Sequence, residues 1–97
     1  ECHNQDKVSM GTIAARDCIR VLELTEQDAA ALTLATCQAV RLRQREAGGD
    51  SACLAPAAVR FVESIAAHSP FLDEDRALEG ELRNLTQLIR ARTWDIY

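Results

Sequence analysis

Four cysteines, two histidines, four serines and a run of arginines are the side chains of this 97-residue chain that could do chemistry. Cys2, His3, Cys53 and His68 could hold a metal only if the fold gathered them, because no CxxC or HxxxH spacing sets two ligands on one turn. No metal ligand is assigned. Ser9, Ser51, Ser64 and Ser69 lack the setting of a nucleophile elbow, and Gly48-Gly49 has no following Lys to make a phosphate loop. His68 stands three residues after Ile65 and seven after Phe61, which suits a packed or capping histidine at a helix end better than a general base. With no catalytic residue and no cofactor motif, the chain reads as a non-enzymatic interaction module.

Two clusters remain. Arg41, Arg43 and Arg45 are either an anion or acidic-partner patch or ordinary charges at a helix C-terminus, and since only Arg41 and Arg45 share a face, the second reading is preferred. The C-terminal Thr93-Trp94-Asp95-Ile96-Tyr97 puts the only Trp and only Tyr at one end. Such side chains anchor interfaces, or they fold back over a small core. Because Arg90 and Arg92 precede them, the interface reading is favoured.

The elements that must position these residues are helices. Residues 1–8 are polar and irregular and read as a flexible segment before a single helical domain over 9–97. Ser9 or Thr12 could cap a first helix with Ala14, Cys18, Val21 and Leu22 on one face, ending near Leu24. Thr25-Glu26-Gln27-Asp28 reads as a capping sequence that opens a second, long helix to Ala47, with Leu32, Ala35, Ala39 and Leu42 on one stripe and Leu34, Cys37 and Val40 beside it. Gly48-Gly49 closes it. Pro56 starts a third helix with Ala58, Phe61, Val62 and Ile65 inward, and the fourth begins at Pro70 after Ser69. Asp73, Glu74 and Asp75 then fall in its first turns and Arg90 and Arg92 in its last. Leu78, Leu82, Leu85 and Ile89 form a short coiled-coil-like seam, and Gly80 within it marks either a close helix approach or a tolerated surface glycine. The expected fold is all-α, about four helices with two long antiparallel amphipathic ones.

A chain this short buries about two thirds of its unfolded surface, so the Leu78–Ile89 seam is expected to form a homodimer. The net charge of −4 disfavours a duplex nucleic-acid partner. No apolar run is long enough for a membrane span, and the scattered cysteines suit a reducing compartment, so the expected location is cytoplasmic.

Over residues 22–89 the chain resembles the small TraM-like bacterial quorum-sensing antiactivators. The likeness rests on a Leu-Thr opening into a long helix carrying Gln38-Ala39-Val40-Arg41-Leu42-Arg43, on Arg60-Phe61-Val62-Glu63-Ser64-Ile65, and on Asn84-Leu85-Thr86-Gln87-Leu88-Ile89. The resemblance implies a helical protein that binds a LuxR-type (LasR-like) transcription factor and blocks its dimerisation or DNA binding. The interface would then comprise Leu78, Leu82, Leu85, Ile89, Arg90, Trp94, Ile96 and Tyr97. A helical adaptor or structural subunit is the alternative, and a small DNA-associated regulator using Arg41 and Arg45 a more distant one.

Overall fold

A computed structural model of the chain describes residues 10–49 and 54–94. They form three helices, α1 (Met10–Glu46), α2 (Pro56–Ala66) and α3 (Glu79–Arg90), with no strand among the described residues. The all-α expectation holds, with one helix fewer than the sequence signals suggest.

The break expected at Thr25 does not occur. Its hydroxyl donates back to Val21 O at 2.8 Å, one turn up the same helix, so it never turns forward to cap a new one. With no proline and only Gly11 between Met10 and Glu46, nothing interrupts the ladder, and 37 residues run as one rod about 55 Å long. It ends where glycine permits: Gly48 (φ 70°) and Gly49 (φ 91°) turn the chain back, and Gly49 N donates to Gln44 O at 2.7 Å. Pro56, whose missing N–H costs nothing in a first turn, opens α2.

The fourth helix expected from Pro70 starts nine residues later, at Glu79. Ser69 supplies no cap; its hydroxyl donates to the Glu81 carboxylate instead. Asp73, Glu74 and Asp75 therefore lie in an irregular strap, and the acids of the first turn of α3 are Glu79 and Glu81. A methyl group on Gly80 would meet nothing within 4 Å, so among the described residues no helix approaches it closely.

The core is small: Ala30, Leu34 and Cys37 of α1, Ile65 of α2 and Leu85 of α3, ringed by Phe61, Val62, Leu82, Leu88, Ile89 and Trp94. Arg90, at the end of α3, pairs with Glu26, while Glu81, at its start, reaches Ser69, whose carbonyl is held by Arg41. Thus α3 runs antiparallel to α1. Of the two adjacent stripes read from the sequence, the one with Leu34 and Cys37 is buried, and the one with Leu32, Ala35, Ala39 and Leu42 is exposed. Every residue from Met10 to Leu22 is exposed as well. The rod projects past its own core, giving extents of 69 × 32 × 21 Å. Among the described residues no helix is long and apolar enough to cross a membrane.

Candidate functional site

The densest set of polar contacts joins the C-terminal half of α1 to the strap between α2 and α3. Gln38 grips the strap backbone at two points, Nε2 donating to Leu72 O (2.9 Å) and Oε1 accepting from Leu72 N (3.3 Å). One turn on, Arg41 donates to Ser69 O at 3.2 Å. Arg41 and Arg45 both lie against the Phe71 ring, at 5.2 and 3.8 Å from its centroid, and Arg45 also pairs with Asp73 at 2.9 Å. The strap is tied at its other end through Arg76, which donates to the Glu81 carboxylate and to Pro70 O. Glu81 thus accepts from both Arg76 and Ser69. The Arg76 hydrogen bond, ahead of the desolvation that opposes it, holds the Glu81 carboxyl below the usual 4.5.

The two cations sharing a face are therefore occupied in holding the strap. A shallow depression of about 500 Å³ is left beside them, lined by Arg41, Gln44, Arg45, Gly49 and Phe71. A second groove, about 690 Å³, follows α1 and α3 between Gln27, Asp28 and Ala31 on one side and Leu78, Leu82 and Arg83 on the other. Neither brings a nucleophile to a base. His68 is exposed, with Nδ1 3.4 Å from Asn84 Nδ2, and among the described residues no acid or hydroxyl is set against it. Among the described residues no group of His, Cys, Asp and Glu could hold a metal ion.

Of the described residues expected to face a partner, Leu82, Leu85, Ile89 and Trp94 are turned inward. Leu85 is fully buried, Leu82 and Ile89 pack on the core, and Leu78 is half-buried at the start of α3. The seam is thus spent on α1. Arg90 donates through Nε to Glu26, a contact that raises its pKa further and keeps it charged. Trp94 folds back: its ring meets Phe61 edge-on (5.6 Å, 77°) and Nε1 donates to Ser64 Oγ at 2.9 Å. Ile96, Tyr97, Cys2, His3 and Cys53 lie outside the described residues. Sequence reasoning missed Gln38, Phe71 and Glu81, whose partners except Arg76 lie 12 to 34 residues away. The i, i+4 spacing of Arg41 and Arg45, with the lone aromatic of an acidic segment, was the available signal for the stack.

With this helical framework in place, the kinship of the chain is informative. The aromatic amino acid lyase family model matches residues 1–66, and the chain belongs to that family. It is 37% identical over 87 residues to a tyrosine ammonia-lyase of Cupriavidus metallidurans, covering 90% of this chain and 15% of that protein. A histidine ammonia-lyase of Natranaerobius thermophilus is 38% identical over 87 residues, covering 90% of this chain and 16% of that protein. A tyrosine ammonia-lyase of Cereibacter sphaeroides is 37% identical over 82 residues, covering 84% and 15%. The chain thus spans about one sixth of the length of these relatives. No solved structure matches it.

This kinship overturns the functional expectation. The likeness to quorum-sensing antiactivators rested on helix pattern over residues 22–89, whereas the family match takes in residues 1–21, which that likeness did not use. The LuxR-type partner, the block on transcription and the non-enzymatic adaptor alternative fall with it, because the family is one of enzymes. Of the seam expected to form a homodimer, Leu85 lies in the core of the chain itself and Leu82 and Ile89 pack against it.

Proposed function

We propose that this chain is a helical segment of a cytoplasmic ammonia-lyase that releases ammonia from an amino acid with an aromatic side chain, tyrosine or histidine. The observation that carries the reading is the family match over residues 1–66, which takes in all of α1 and α2. The substrate class follows the two names its relatives carry, tyrosine and histidine ammonia-lyase. The free thiols of Cys18 and Cys37 suit a reducing cytoplasm. The described residues contribute framework in this reading: a long rod, a core at one end of it, and a strap pinned across its C-terminal half.

Loss of ammonia from such an amino acid breaks the Cα–N bond and a Cβ–H bond and leaves an unsaturated acid conjugated to the ring. That product absorbs in the near ultraviolet. The test is to supply L-tyrosine and L-histidine separately to the full-length protein that carries this chain, following ammonia and the new absorption together. The expected outcome is equal yields of the two from one of the substrates. A folded protein that releases ammonia from neither would overturn the proposal.

A further inference from the structure

α1 carries two apolar faces, and the described residues cover one. The uncovered face runs Ala14, Cys18, Val21, Thr25, Asp28, Leu32, Ala35, Ala39 and Leu42, in steps of three and four over four heptads, and it is exposed along most of its length. This is the spacing by which one helix packs along another. Leu32 is 68% exposed and Val21 60%, large apolar side chains a soluble rod does not leave in water without cause. Thr25 spends its hydroxyl on Val21 O, which leaves the Asp28 carboxylate as the one charge on the stripe. Asp28 makes no hydrogen bond or ion pair among the described residues.

We propose that this stripe packs against an amphipathic helix from the part of the lyase polypeptide outside these 97 residues, with a hydrogen-bond donor of that helix set against Asp28. The inference rests on the reading of the chain as a segment of an ammonia-lyase. Relatives about six times longer leave ample polypeptide outside these residues from which such a helix could come, and the match to their family runs through the whole of the stripe. Ala35 and Ala39 allow its axis to come close. A second copy paired in register is the poorer occupant, since it would set Asp28 against Asp28 with no cation on the stripe.

Cys18 lies on the stripe and reports on it without mutation; Ala39→Cys adds a second reporter at the far end. Maleimide labelling of each thiol in the folded full-length protein, read separately by peptide mass, is compared with labelling of the same protein in urea. Both positions are expected to react at least about a hundredfold more slowly when folded. Labelling of both at the unfolded rate would overturn the proposal, as would protection that disappears when the protein is diluted to monomers, which would assign the stripe to a second copy. Ammonia release from the same preparations separates this from the function: a protected stripe without release removes the lyase reading alone, and an open stripe in an active lyase removes the packing alone.

Discussion

Gln38 holds Leu72 by both of its backbone groups, donating to the carbonyl at 2.9 Å and accepting from the amide at 3.3 Å across 34 residues of sequence. One side chain on α1 thereby fixes the register of the strap that leads into α3. Gln38→Ala is expected to cost about 1–3 kcal/mol, because it strands two half-buried backbone groups at once. Gln38→Glu should cost more than Gln38→Leu, since its carboxylate would face the Leu72 carbonyl. Urea unfolding followed by circular dichroism measures both differences.

The Phe71 stack and the Arg45–Asp73 ion pair can be ranked. Both members of the pair are exposed, 59% and 66% of their side-chain surface, so Asp73→Asn should change stability by less than about 1 kcal/mol and less still at high salt. Phe71→Leu keeps much of the apolar area but removes the ring face under two guanidinium groups, and should cost about 0.5–2 kcal/mol with little salt dependence. Arg45→Lys should recover less than full stability, because an ammonium does not stack. Equal losses for Asp73→Asn and Phe71→Leu would contradict this ranking.

Acid should loosen the strap. The Glu81 carboxyl is held below its ordinary 4.5 by the Arg76 hydrogen bond, with Ser69 adding to the effect. A carboxyl whose folded pKa is depressed contributes its stability above the unfolded value and loses it as pH falls through the folded one. Stability is therefore expected to decline on acidification below the usual carboxylate range. In Glu81→Gln this part of the decline should be absent, and the variant should be weaker than the parent at neutral pH. Thermal midpoints across a pH series read both effects; parallel curves for the two proteins would show that Glu81 does not couple the strap to protons.

Trp94 is the only tryptophan, so its fluorescence reports on the closure of the chain end onto α2. Trp94→Phe retains a ring beside Phe61 and loses the bond to Ser64, at an expected cost of about 1 kcal/mol. Ser64 is not stranded, because its hydroxyl also donates to Phe61 O at 2.7 Å. Trp94→Ala should cost distinctly more, through lost packing against Phe61. In the parent protein the emission should shift to the red in the same transition that removes helical circular dichroism.

The sequence by itself determined what depends on neighbours a few residues away. An all-α chain, the stop at Gly48-Gly49 and the start at Pro56 follow from helix propensity, left-handed glycine and the missing proline N–H, and each acts within one turn. The Arg41 and Arg45 pairing on one face belongs to the same class. The tertiary structure decided everything that required choosing between locally equivalent options. Thr25 could cap forward or bond back to Val21, and in a stretch without a breaker the continuous ladder prevails. Ser69-Pro70 could open a helix, but Gln38, Arg41 and Arg45 hold the following residues along α1, so α3 waits until Glu79. Two apolar stripes on α1 have similar composition, and only contact with Ile65 and Leu85, 28 or more residues along the chain, makes the one through Leu34 and Cys37 the core. Trp94 and Arg90, legible as interface anchors from their types, are claimed by Ser64 and Glu26 for the same reason: sequence shows what a side chain can bind, and the fold decides which partner arrives.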